Sequence, residues 1–288
     1  MKKKIILGIS LLFICLLTTG CKQDDMEDID IAVTNYPNEY IVNKLYGNHS
    51  TINRVYPDDV NIKDYKVTSK QKETFSKMGL FVYTGLVDEE RKLAVNLLDK
   101  NRSLKIIDTS YVLETDYENE ELWLNPSSLL MMAQNVRLGL KEYVTSNYLS
   151  KEIDKEYNKL KIELSELDAE YRLAVENTEQ KVIVVEDESL KFLEKFGLTV
   201  ICINEKSSDK DINQVQELIN NKSINYIFTY KKNTINSTVK NIIEKNTSIK
   251  LLELNKLDNI TDKDRDDGKD YITLMNENLN TLKQELYQ

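Results

Sequence analysis

Residues 149–178 run for thirty positions without a glycine or a proline. Ile153, Tyr157, Leu160, Leu164, Leu167 and Tyr171 recur there at spacings of 4, 3, 4, 3 and 4, flanked by Lys, Glu and Asp. That period places all of them on one stripe of a single helix, and nothing inside the segment breaks it. At 1.5 Å per residue the helix is about 45 Å long, enough to run along two lobes instead of merely joining them. A coiled-coil dimer is the competing reading. The stripe holds at most four heptads and includes tyrosines, and sequence of globular character lies on either side, so burial within one chain, and hence a monomer, is the expectation.

The flanking sequence alternates short apolar runs with amphipathic stretches. Residues 29–34, 52–56, 80–83 and 104–107 are rich in β-branched or aromatic side chains and read as strands. Residues 39–46, 69–78 and 88–101 read as helices, the last opening on acidic residues that suit a helix N-terminus. A second series repeats the pattern, with strands at 181–185, 198–203, 224–229 and 249–254 and helices at 189–196, 212–221, 235–245 and 271–286. Such alternation implies right-handed βαβ units and mainly parallel sheets. The predicted fold class is α/β: two βα lobes, residues 29–146 and 181–288, joined by one long rigid helix at 147–180.

The N-terminus gives an address. Lys2, Lys3 and Lys4 precede an apolar run at 5–17, then Thr18, Thr19, Gly20 and Cys21. About 13 apolar residues are too few to cross a bilayer core of roughly 30 Å, so residues 1–20 read as a secretory signal that is removed. A cysteine directly after small residues resembles a lipobox, with Cys21 acylated (a palmitate-type anchor) and residues 21–28 (CKQDDMED) forming a polar tether. An uncleaved anchor is the alternative, and both place the body on the extracytoplasmic face of the cell membrane. The formal charge of −9 becomes −12 without the three signal lysines, which disfavours nucleic acid and anionic lipid surfaces as partners. Cys15 leaves with the signal and Cys21 is acylated. Cys202 then has no partner for an intramolecular disulfide, and its apolar run predicts a buried packing role.

Four segments carry a family resemblance: VTNYPNEYIVNKLYGNH at 33–49, GLFVYTGL at 79–86, ELWLNP at 121–126 and GKDYITLMNENLNTLKQEL at 268–286. In this order, with the lipobox and the long helix, they resemble the solute-binding lipoproteins of zinc and manganese ABC importers across nearly the whole mature chain. The resemblance implies a periplasmic-binding-protein-like fold of the single-helix type (cluster A-I), an ABC permease as partner, and a small solute or metal ion in the interlobe cleft. In that family two or three histidines and a carboxylate hold the metal. Matched motif by motif, the ligand positions here are Lys63 in NIKDYKVT, Glu121, Glu186 (where manganese-type members often carry Glu) and Asn255, with Asp258 a nearby substitute. His49, in a GNH segment, matches a non-ligand position and reads as a helix-end residue. The usual His-rich loop is absent.

A lysine ammonium has donors and no acceptor, so Lys63 cannot ligate a cation. Placed between Glu121 and Glu186, it would form an internal salt bridge in place of the metal. The cleft then has three readings: a degenerate pocket without metal, a pocket altered for a different small solute, or a hard divalent cation held by oxygens. With one histidine in the chain, histidine-based zinc binding is excluded by count. No catalytic residue is assigned and an enzyme is not expected, because the sequence carries no Gly-rich phosphate loop, G-x-S-x-G elbow or metalloprotease His pair. A cell-surface binding or adhesion lipoprotein that keeps the fold without transport is the alternative function.

Overall fold

The β-branched and aromatic runs become strands, and each strand pairs in parallel with its neighbours. The computed structural model describes residues 24–114 and 121–288. β1 (Ile29–Val33), β2 (Ser50–Arg54), β3 (Leu80–Tyr83) and β4 (Lys105–Asp108) form a sheet in the order β2-β1-β3-β4. Ile31 sits opposite Ile52 on one side and Leu80 on the other. β5 (Val182–Val185), β6 (Thr199–Cys202), β7 (Tyr226–Tyr230) and β8 (Lys250–Leu254) repeat the arrangement as β6-β5-β7-β8. Parallel strands need crossovers that cover both faces, and so their centres are apolar throughout: every residue of β3 is buried.

The first lobe's crossovers are α1 (Tyr36–Tyr46), α2 (Ser69–Phe75) and α3 (Asp88–Lys100). α1 starts ahead of its expected boundary at residue 39, because the Asn35 side chain accepts from the Asn38 amide and Pro37 lies in the first turn. A helix the composition did not announce, α4 (Pro126–Tyr143), follows a short 3₁₀ helix at Leu122–Leu124. It lies close on β4 because Gly139 has no side chain; a Cβ there would come within 2.6 Å of Ile107 Cγ1. The long segment is α5 (Asn147–Glu176), capped by Ser146. In the second lobe a 3₁₀ helix at Glu188–Phe196, α6 (Asp209–Asn220) and α7 (Ser237–Lys245) supply the crossovers, and α8 (Asp262–Asp266) and α9 (Tyr271–Leu286) close the chain. The 3₁₀ helix ends at Gly197, whose φ of +93 favours glycine.

The stripe on α5 is used inside the chain. Ile153, Leu160, Leu164, Leu167 and Tyr171 are buried, in one core that runs from Ile31 and Val82 of the first sheet to Val185 and Phe228 of the second. Tyr171 donates its hydroxyl to the Met275 carbonyl of α9 at 2.8 Å. Tyr157 is partly buried, with the Arg137 guanidinium 5.1 Å from its ring centre. The seam a coiled-coil dimer would need is therefore already covered by α1, α4 and α9.

One expectation is corrected. The polar segment at 21–28 is not a free tether over its whole length, because Asp24 and Met26 are already part of the folded body. Asp24 Oδ2 accepts the Thr145 and Ser146 amides and the Thr145 hydroxyl at the start of α5, and Oδ1 accepts the Met26 amide. Met26 is fully buried, and Tyr46 donates to its carbonyl at 2.8 Å. Composition hid this, since the carboxylate serves backbone donors at a helix start. The signal at 1–20 and Cys21 lie outside the described residues. Asp24→Ala should lower stability by about 1–2 kcal/mol, read from urea denaturation, because several amides lose one shared acceptor; an unchanged midpoint would restore the free-tether reading.

Candidate interlobe binding site

Parallel sheets gather chemistry at the carboxyl ends of their strands. In the first lobe these ends supply Thr34, Asn35 and Thr84, which close on Glu90 of α3. Glu90 accepts from Asn35 Nδ2 at 3.0 Å and from the Thr84 amide at 2.7 Å, and it shares a hydrogen bond with the Thr34 hydroxyl. Burial outweighs these bonds and raises its carboxyl to about 7. In the second lobe the end of β5 presents Glu186 and the end of β8 presents Asn255 and Lys256.

The central contact crosses from lobe to lobe. Lys256 Nζ lies 2.8 Å from Glu121 Oε1, and the two side chains are only 11% and 14% exposed. Trp123 Nε1 donates to the Lys256 carbonyl at 2.9 Å, and Tyr271 donates its hydroxyl to the Trp123 carbonyl. Next along the chain, Leu257 adopts a left-handed φ of +63 while its side chain is buried. That turn sends adjacent side chains in different directions, Leu257 into the core and Lys256 onto Glu121. Burial works against the Lys256 charge, but Glu121, then Asp258 and Asp187, outweigh it and hold the ammonium above the usual lysine range.

The residues matched by resemblance meet different fates. Lys63 does not stand between Glu121 and Glu186; Lys256 holds Glu121 instead. Lys63 sits on the loop after β2, its amide held by Asn61 Oδ1, and its exposed side chain reaches only the rim of the cleft. Among the described residues no carboxylate pairs with its ammonium. Asn255 also turns away. Its amide donates to Asn278 Oδ1 at 2.7 Å and its side chain faces α9, so it fastens β8 to that helix. Asp258 offers its carbonyl to the Tyr36 amide, 3.0 Å away, and its carboxylate acts on the Lys256–Glu121 pair from nearby.

Glu186 does face the cleft. Its Oε1 accepts the Asn236 amide at 3.0 Å and Asn236 Nδ2 at 3.2 Å, while its Oε2 is buried without a partner. Burial pushes its carboxyl above the ordinary glutamate value. Cys202, expected in the core, is half-buried on the cleft wall, where burial raises its thiol to about 12. His49 ends the 3₁₀ helix after α1 and packs tilted against Tyr46 and edge-on against Tyr148, with ring centres 5.5 and 6.2 Å away. Among the described residues no group of three or more His, Cys, Asp or Glu is arranged to hold a metal ion.

A second set of contacts closes the lobes. Arg265 of α8 forks onto both Glu39 oxygens of α1 at 2.8 and 3.0 Å and onto both Asp58 oxygens at 2.9 and 2.6 Å. Lys232 pairs with Asp59, and Asn259 Nδ2 donates to the Pro57 and Val60 carbonyls. Sequence reading missed Arg265 and Lys256 because a lone surface-like cation carries no signal of its partner. Glu121, at the head of ELWLNP, and Glu186 were legible through the motifs that carry them.

Paired parallel sheets joined by a single helix, with a cleft at the strand ends, define the class of bilobed solute-binding proteins. The chain belongs to the family described as zinc-uptake complex component A, periplasmic (ZnuA), whose family model matches residues 31–285. The zinc-binding protein AdcA of Streptococcus pyogenes is 25% identical over 321 residues, which cover 98% of this chain and 61% of that protein. The chain thus spans about 61% of the length of the first curated relatives it matches. The high-affinity zinc uptake system protein ZnuA of Bacillus subtilis is 21% identical, with 93% and 91% covered. In fold, the chain is similar to the Zn(II)-bound ZnuA-like domain of Streptococcus pneumoniae AdcA, with a TM-score of 0.73 and 20% identity over 91% of this chain and 100% of that one. The metal-dependent lipoprotein YcdH of Bacillus subtilis gives 0.75 at 18% identity, with the same coverage.

Lys256→Ala should cost about 3 kcal/mol in urea denaturation, because it leaves Glu121 buried and unpaired, whereas Lys256→Met with Glu121→Gln should recover most of that loss. Lys63→Ala should stay within about 0.5 kcal/mol of the parent. Glu90 gives a pH test. Its folded carboxyl keeps a proton to about pH 7 against an ordinary value of 4.5, so the folded state binds more protons within that window. Its contribution is complete below the lower value and is lost as pH rises through the upper one, on the order of 3 kcal/mol in all. Glu90→Gln should flatten that slope between pH 5 and pH 8.

Proposed function

We propose that this chain is the extracytoplasmic solute-binding component of an ABC importer, anchored through Cys21, in which Lys256 takes the place of a cargo metal between the lobes. The single observation behind this reading is the largely shielded Lys256–Glu121 pair, an ammonium set between the lobes of a chain whose relatives are named for zinc binding and zinc uptake. Zinc prefers nitrogen and sulfur ligands. Here it would have to displace a buried ammonium to reach carboxylates, with Asn255 engaged on α9. Of the readings drawn from sequence, a metal-free cleft serving a different solute fits these residues better than a hard cation, because Glu121 already has its countercharge.

The permease would meet the two lobes together, and the core they share through α5 limits any closure to small rotations. Among the described residues no helix is long and apolar enough to cross a membrane. The family match favours transport over the adhesion alternative.

Elemental analysis and calorimetric titration with zinc and manganese test the reading. Substoichiometric metal and no tight titration are expected, and tight one-to-one zinc would overturn it. Combining Glu121→His with Lys256→His, at two positions whose side chains already meet across the lobes, should create zinc affinity if the cleft is correctly placed; no gain in affinity would show that it is not.

A further inference from the structure

Two carboxylates with little exposure lie at the cleft, and the protein answers one of them. Glu121 has the Lys256 ammonium at 2.8 Å. Glu186 is 8% exposed, holds Asn236 on one oxygen and leaves the other buried without a partner. A buried acceptor without a donor is costly, and a donor brought by a ligand would remove that cost. Glu186 also lines a cavity of about 620 Å³. That volume suits a small organic solute, and it far exceeds the roughly 30 Å³ of one water-sized ion.

The charge and chemistry of the wall narrow the solute further. Among the described residues the wall carries five carboxylates, Glu186, Glu188 and Glu205 among them, against three lysines, which leaves two negative charges in excess. One of those lysines, Lys256, is already committed to Glu121, which lies outside the wall. Glu188 Oε2 is a second buried oxygen without a partner. Among the described residues no aromatic side chain lines the cavity, so they offer none of the ring faces that quaternary ammonium ligands favour. Asn233 also lines it, and together with the carboxylates its amide oxygen is an acceptor suited to a group with three N–H donors.

We propose that the cleft takes a small solute bearing a primary ammonium group, which pairs with Glu186 as Lys256 pairs with Glu121, the unpartnered carboxylate oxygen turning out to meet it. This inference rests on the solute-binding reading above. The second negative charge in excess accommodates a second ammonium, so a diamine should bind more tightly than a monoamine.

Calorimetric titration of the full chain at low salt compares 1,4-diaminobutane and n-butylamine with 1,4-butanediol and tetramethylammonium. Both primary amines should bind, and the diol and the quaternary ion should be weaker by about tenfold or more, the ratio set by losing a charge-assisted hydrogen bond. Glu186→Gln, checked for folding by circular dichroism, should lose amine affinity by a similar factor. If that variant does not fold, the ligand series alone decides. Amines that bind no better than the diol, or a folded Glu186→Gln with undiminished affinity, would overturn the inference. Stoichiometric zinc would overturn the preceding reading, whereas a metal-free protein indifferent to amines would remove only this one.

Discussion

Everything else in the molecule depends on the burial of one stripe of α5 by both lobes. Leu160, Leu164, Leu167 and Tyr171 belong to a core continuous from one sheet to the other. A fully buried leucine is worth about 1.5–3 kcal/mol, so rotating either lobe off the helix would expose several such contributions at once. The lobes are therefore held in one relation, and the cleft between their strand ends is a fixed place with modest freedom to close. Tyr171 donating to the Met275 carbonyl ties the C-terminal helix into the same arrangement.

Within that frame, charge decides what the cleft can hold. A divalent ion between lobes would neutralise carboxylates contributed from both sides. Here a single ammonium does so at Glu121, and its backbone is fixed by the Trp123 indole and the left-handed turn at Leu257. A tethered ammonium carries half the charge of a divalent ion and cannot leave, so Glu186 remains unanswered. Arg265, forked onto Glu39 and Asp58, adds a closure that needs no cargo.

Much of the fold could be read from the chain. The 4-3 stripe predicted α5, and β-branched runs between amphipathic segments predicted parallel strands, because both patterns follow from periodicities that burial enforces. α4 was overlooked although Asn125 and Pro126 form a recognisable helix start. Asp24 and Met26 were taken for tether because their partners, Thr145, Ser146 and Tyr46, lie far away in sequence. In the cleft, motif matching reached Glu121 and Glu186 and misassigned the cation. Lys63 and Lys256 are equivalent as letters, and the choice between them depends on loop paths that no local pattern encodes.

The sequence by itself determined the class of fold, the single connecting helix and the presence of one histidine, since periodicity, composition and residue counts need no coordinates. Only the tertiary structure decided that Lys256 answers Glu121, that Asn255 turns to α9 and that one Glu186 oxygen stays bare. The physical reason is reach. An ion pair or hydrogen bond is satisfied or lost over about 1 Å, and that distance is set by how two lobes and their loops pack together, not by any spacing along the chain.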